Sequence, residues 1–334
     1  MLAYSRPWLD AWVESTYGPG GFWQDNLPAS HFRTAAASTP LLGDLIAGLL
    51  AEHLQIGSVV DLGAGDGELL RRLADCRPDL TLAGVDLQAR PPGLAPSIEW
   101  RRDIWDVLTG RWQDDEVDQL LAASGRPALI TCVEWLDDLP CRVVTANSGG
   151  WREVLVDANG NETPGAPVAG NDLRWLQDWW RKGSRAEVGL TRDTAWASVL
   201  HSLQPYGGLA LMIDYGHLRA NRPATGSLAS YRDGRVVPTR PDRELNLTAA
   251  VAVDAVEAAG VAAGARTVLR ARQGDLVPKS IAAKLRDDPL ADLVERSERA
   301  ALRSPRVWGR QWWLLQQVSA TGREPGVTPT AVTA

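Results

Sequence analysis

Residues 59–70 read Val-Val-Asp-Leu-Gly-Ala-Gly-Asp-Gly-Glu-Leu-Leu. An apolar pair runs into Asp61, glycines then alternate at 63, 65 and 67, and a helix-like pattern follows. This is the pattern of a strand, a tight turn and a helix. Glycine lets the backbone turn sharply and come close to a ligand, and the helix that follows offers unpaired N–H groups to it. A dinucleotide fingerprint would place its third glycine at position 68. Glu68 stands there instead, with the third glycine at 67 and an acid two residues before Gly63.

Working outward, the apolar residues between Pro40 and Leu54 recur at helical spacing. Strands are expected at 58–62, 80–86, 97–101, 127–133 and 209–215, with a short pair at 141–145 and 151–157. Helices are expected at 67–75, 172–182, 191–203 and 248–259. The segments 266–276 and 311–319 suit a closing antiparallel pair. Strands alternating with helices imply an α/β fold with a doubly wound, mostly parallel sheet. Ligands bind such sheets outside the carboxyl ends of the strands. Residues 1–40 read as irregular, 159–170 and 216–247 as insertions or mobile loops, and 320–334 as a disordered tail.

The chain has 334 residues, so two domains or one large α/β domain with insertions are expected. A net charge of −6 argues against a general nucleic-acid binder. No apolar run approaches the roughly 18 residues that suggest a membrane span, and no signal-peptide pattern opens the sequence. A cytoplasmic protein is expected. Cys76, Cys132 and Cys141 are scattered and odd in number, against a disulfide framework. His31, His53, His201 and His217 show no metal-ligand spacing, so no metal is expected. Fifteen tryptophans stand against two phenylalanines. They suit a core or a subunit interface, such as that of a homodimer, or an aromatic wall around an acceptor group.

The glycine loop, Asp61, Gly63, Ala64, Gly65 and Gly67, resembles the S-adenosyl-L-methionine loop of class I methyltransferases. The amino acid end of that cofactor is a zwitterion, so a carboxylate suits its ammonium group. Asp86 closes the second strand, followed by Leu87, and a carboxylate there can accept hydrogen bonds from both ribose hydroxyls. The resemblance places Asp103 at the adenine amino group and Ile104 on the ring. The fourth strand runs into Glu134-Trp-Leu-Asp-Asp-Leu-Pro140. Glu134 and Asp137 there are candidate catalytic residues, orienting an acceptor or taking its proton. Asp138 reads as a solvated loop acid.

Several ordered blocks resemble the MidA-like methyltransferases, whose mitochondrial member is an assembly factor for respiratory complex I. Tyr17-Gly-Pro-Gly-Gly-Phe-Trp23 is similar to that family's Tyr-x-Pro-x-x-Gly-Tyr-Tyr opening segment. His31-Phe-Arg-Thr34 and Thr39-Pro-Leu-Leu-Gly43 resemble its Asp-Phe-x-Thr…Phe-Gly block, which places Thr34 beside the cofactor. Val133-Glu-Trp-Leu-Asp-Asp-Leu-Pro140 looks like Asn-Glu-Phe-Phe-Asp-Ala-Leu-Pro, and Asn246-Leu-Thr-Ala-Ala-Val251 like Asp-Leu-Thr-Ala-His-Val. Gly150-Trp-Arg-Glu-Val and Leu211-Met-Ile-Asp-Tyr-Gly216 also fit. Val133, Asn246 and Ala250 depart from the pattern and remove hydrogen-bond capacity.

The resemblance implies a seven-stranded Rossmann-like methyltransferase that modifies an arginine of a partner protein. The implied layout is a covering segment at 1–40, a cofactor domain at 41–319 with insertions near 158–185 and 216–247, and the tail. The alternatives are a small-molecule methyltransferase, or an assembly protein that binds the cofactor without turnover. A nicotinamide-dependent dehydrogenase is disfavoured by Glu68.

Overall fold

The computed structural model describes residues 5–25, 39–278 and 289–321. Its centre is a seven-stranded sheet. Four parallel strands, β1 (Ser58–Leu62), β2 (Thr81–Asp86), β3 (Glu99–Arg102) and β4 (Ala128–Val133), form one half. Every residue of β1 and β4 is buried. Side chains alternate between the two faces, as strand geometry requires: Val60, Leu62, Ile130 and Cys132 enter one core, Val59, Leu129 and Val133 the other. Helices α1 (Trp8–Tyr17), α2 (Leu41–Ala51), α3 (Glu68–Cys76) and α4 (Glu116–Ser124) belong to the same stretch of chain. Leu42, Ile46 and Leu50 of α2 and Leu69, Leu70 and Leu73 of α3 cover one face of the sheet. Val117, Leu120 and Leu121 of α4 cover the opposite face.

After β4 the chain builds a second sheet. β5 (Arg142–Asn147), β6 (Gly150–Val156) and β7 (Glu162–Pro167) run antiparallel in sequence. α5 (Gly170–Trp179) leads to β8 (Arg185–Val188), which pairs with β5, and then to α6 (Leu190–Leu203). Half of the stretch expected as a Gly/Pro-rich loop at 159–170 is thus strand, Glu162–Pro167. Both prolines of β7 are tolerated because β7 pairs only with β6, and an edge strand need not donate from every N–H.

β9 (Gly208–Asp214) returns to the main sheet beside β4. The polar stretch expected as loop at 216–247 carries β10 (Ala229–Arg232), β11 (Arg235–Val237) and the start of β12 (Asn246–Thr248), a small antiparallel sheet. α7 (Val253–Ala262) begins later than expected because Asn246–Thr248 and Val251–Ala252 are extended. β13 (Arg266–Arg272) and β14 (Trp312–Val318) form the expected antiparallel closure, with α8 (Pro289–Arg303) between them. The sheet order is β13-β14-β9-β4-β1-β2-β3, with only β14 antiparallel to its neighbours.

The N-terminal segment differs from the irregular stretch expected. Its α1 buries Trp8 and Trp12 with Val143, Val154 and Val156 of the second sheet. The sequence does not show this helix, because a single ten-residue segment with two tryptophans lacks a clear apolar stripe. The expected tail lies outside the described residues beyond Thr321. No helix among the described residues is long and apolar enough to cross a membrane.

Candidate functional site

One cleft opens at the carboxyl ends of β1, β2, β3 and β4. Asp61, Gly63, Ala64, Gly65, Asp86, Leu87, Asp103, Ile104 and Glu134 all line it. Gly67 and Asp137 do not, and Thr34 lies outside the described residues. Gly67 instead caps α3 in the left-handed conformation.

Gly63 and Gly65 also have positive φ, at 65° and 56°. A β-carbon on Gly63 would come within 2.8 Å of the Trp135 ring, whereas one on Gly65 would meet nothing within 4 Å. The turn therefore packs on one side and leaves open room on the other, the geometry for close approach of a ligand to backbone.

Two acids are tied into this turn. Asp86 accepts from Gly65 N–H at 2.9 Å and from Gln88 N–H at 2.8 Å, one bond on each carboxylate oxygen. Burial raises its pKa and those backbone bonds oppose the rise. Asp61 accepts from the Thr131 hydroxyl at 2.6 Å through Oδ1. Burial pushes its pKa up to about 7, the Thr131 bond opposing.

Asp103 has a further task. Its carboxylate accepts from the backbone N–H groups of Ile104, Gln113, Asp114 and Glu116 at 2.8–3.1 Å. It folds the 103–116 loop, which carries Trp105 and Trp112 into the cleft wall. Trp112 packs edge-on against Trp105 and parallel to Trp135, with centroids 5.4 and 5.8 Å apart. Tyr17 and Trp23, from the N-terminal segment, complete the aromatic wall. Trp8, Trp12, Trp175, Trp180, Trp196 and Trp313 instead fill the core, the first of the two readings of the tryptophan count.

The loop after β4 is held from several directions. Glu134 adopts φ 50°, its N–H donates to Ile213 O at 2.8 Å, and its Oε1 accepts from Gln311 Nε2 at 2.6 Å. Asp214, at the end of β9, accepts from the N–H groups of Leu136 and Asp137 at 3.0 and 3.1 Å. Arg192 of α6 is 1% exposed and donates to the carbonyls of Asp137, Leu139 and Ala249 at 2.7–3.1 Å. No sequence pattern marked Arg192, since a lone arginine in a helix ordinarily faces water.

Asp137 turns away from the cleft and accepts from the Thr248 hydroxyl at 2.7 Å. Asp138, read from sequence as a solvated acid, is instead 8% exposed and lines the cleft. Burial raises the pKa of both, and for Asp138 the neighbouring charges of Asp137 and Glu134 raise it further.

Asp61, Asp66, Glu68, Asp86, Asp103, Glu134 and Asp138 line this cleft, and no lysine, arginine or histidine among the described residues joins them. Such a wall favours a cationic ligand, and the open side of Gly65 admits one against the backbone. Together with the strand order, it defines a class I S-adenosyl-L-methionine-dependent methyltransferase.

The comparisons agree. Residues 87–270, more than half of the chain, match the family described as "Putative S-adenosyl-L-methionine-dependent methyltransferase". The chain belongs to that family. A COG1565 superfamily structure from Burkholderia thailandensis, bound to S-adenosyl-homocysteine, superposes with a TM-score of 0.74 at 21% identity. The alignment covers 94% of this chain and 88% of that one. A second COG1565 structure from the same organism gives 0.72 at 22% identity, covering 95% and 88%. No curated protein matches the chain.

Proposed function

We propose that the enzyme methylates an arginine side chain of a partner protein. The observation that carries this reading is Glu134, a carboxylate presented to the cleft from a left-handed backbone position and braced by Gln311. A carboxylate can hold a guanidinium through paired charge-assisted bonds, and Trp135 and Tyr17, which line the same cleft, offer apolar faces for the side-chain stem.

For the cofactor, Asp61 would face the ammonium group, Gly63 and Gly65 the amino acid backbone, and Asp86 the ribose hydroxyls. Leu87, Asp103 and Ile104 would border the adenine. When bound, the cofactor supplies a methyl group on a sulfonium that is already strongly electrophilic. The protein's part is chiefly positioning, which contributes about 7–11 kcal/mol in well-oriented systems. The cytoplasm suits this reading, because Cys76, Cys132 and Cys141 are all free thiols.

The four tryptophans of the wall, Trp23, Trp105, Trp112 and Trp135, support a second reading in which a flat small molecule is the acceptor. The test is labelled-methyl transfer to lysate proteins and, separately, to small-molecule extracts. Methylarginine in the acid hydrolysate of the proteins is the expected result. Label confined to the small-molecule pool would reject the arginine acceptor, and binding without transfer would leave the assembly role.

A further inference from the structure

We propose that Asp138 is a second catalytic residue, the group that takes the proton from the acceptor nitrogen as the methyl group is transferred. The inference rests on the proposal that the acceptor is a nitrogen donor. Of the three acids in the loop after β4, only Glu134 and Asp138 line the cleft. Their surroundings differ. Glu134 is braced by a direct bond from Gln311, suited to holding a cation in place. The Asp138 carboxyl faces the side-chain amide of Asn246 on β12, and its backbone carbonyl receives the Tyr17 hydroxyl at 3.4 Å.

Asn246 is 5% exposed, and its Oδ1 has no hydrogen-bond partner among the described residues. A buried, unpaired acceptor is costly unless something donates to it. Asn246 does not line the cleft, so it backs Asp138 from behind, its side-chain amide bonded to the acid.

The charged groups around Asp138 favour its role as the base. Burial raises its proton affinity most, Asp137 and Glu134 on its own loop raise it further, and the Asn246 side-chain bond and Arg192 from α6 oppose them. Two carboxyl groups in one site divide into one that stays ionised and one that accepts a proton. In the step, the nitrogen electron pair forms the bond to the methyl carbon and the carbon–sulfur pair leaves with the sulfur. The N–H proton passes to an Asp138 carboxylate oxygen, which later returns it to solvent.

The test uses the full chain saturated with S-adenosylhomocysteine and labelled at aspartate carboxyl carbons. Carbon NMR across pH should show, among the buried aspartates that titrate above the ordinary carboxylate range, one resonance that is absent from Asp138→Asn. Asp138→Asn should also lower methyl transfer by about 10²-fold or more while S-adenosylhomocysteine affinity stays within about twofold. Should Asp138→Asn fail to fold, Asp138→Glu removes the same resonance and keeps a carboxyl group. An Asp138 resonance in the ordinary range would overturn the proposal, as would transfer by Asp138→Asn within about threefold of the parent. If the parent transfers its methyl to something other than arginine, the arginine reading fails, and the titration still decides the role of Asp138.

Discussion

Glu134 holds a left-handed backbone conformation that costs a non-glycine residue of order 1–3 kcal/mol. Its amide bond to Ile213 and its side-chain bond from Gln311 keep it there. Glu134→Gln should leave cofactor affinity nearly unchanged and lower turnover by about 10²-fold or more. Calorimetry beside single-turnover rates would check this, and a large loss of affinity would move Glu134 into the cofactor site. Asp86→Ala should weaken cofactor binding by about 1–3 kcal/mol, the cost of unpaired hydroxyls and of a freed Gly65 N–H. Unchanged affinity in the same titration would reject Asp86 as the ribose anchor. The residues that close parallel strands, Asp61, Asp86, Leu87 and Asp103, are legible because a parallel sheet gathers such ends at one edge. Asp137 and Asp138 are not, because beyond the left-handed Glu134 the period of two no longer tells which side chain faces the cleft. The departure at Asn246 also reads differently in three dimensions. Where the resembled signature has aspartate, Asn246 here bonds the carboxyl group of Asp138.

Among the elements, α6 does the most to position the loop after β4. Arg192 donates to four backbone carbonyls, those of Asp137, Leu139, Ala249 and Ala250, and lies over the Trp12 ring of α1 at 5.9 Å. The carbonyls come from two separate stretches, 137–139 and 249–250, so one side chain ties the acidic loop to the segment before α7. Arg192→Met should lower stability by about 3 kcal/mol, since buried acceptors bonded to a charged donor lose their partner. Urea unfolding measures this, and a loss under about 1 kcal/mol would mean that the carbonyls find other donors. The buried strands of the main sheet are evident from sequence as near-continuous apolar runs. β7 and β10–β12 are not, because edge and surface strands carry the Pro, Gly and charged residues that elsewhere mark loops.

Across the whole molecule, an acidic cleft links ligand binding to protons. Asp61 titrates near pH 7 in the folded protein against an ordinary value of 3.8, raised by burial. Around pH 6 it is therefore largely protonated, and a cationic ligand favours its ionised form. Binding of S-adenosyl-L-methionine should then release protons near pH 6, and affinity should rise with pH until Asp61 is ionised without help. Calorimetry in two buffers of different ionisation enthalpy reads this directly. Equal heats in both, with affinity flat between pH 5.5 and 8, would show that Asp61 does not meet the cation. Thr131→Val removes the bond that favours the ionised form and should move the rise to higher pH.

Gln311, which braces Glu134, stands immediately before the last strand of the sheet. During synthesis the glycine turn, Asp86, Asp103 and the loop carrying Trp105 and Trp112 leave the ribosome some two hundred residues before it. A nascent chain can thus assemble much of its nucleoside pocket while Glu134 still lacks its brace. A chain cut short before Gln311 is therefore expected to lack this brace on Glu134.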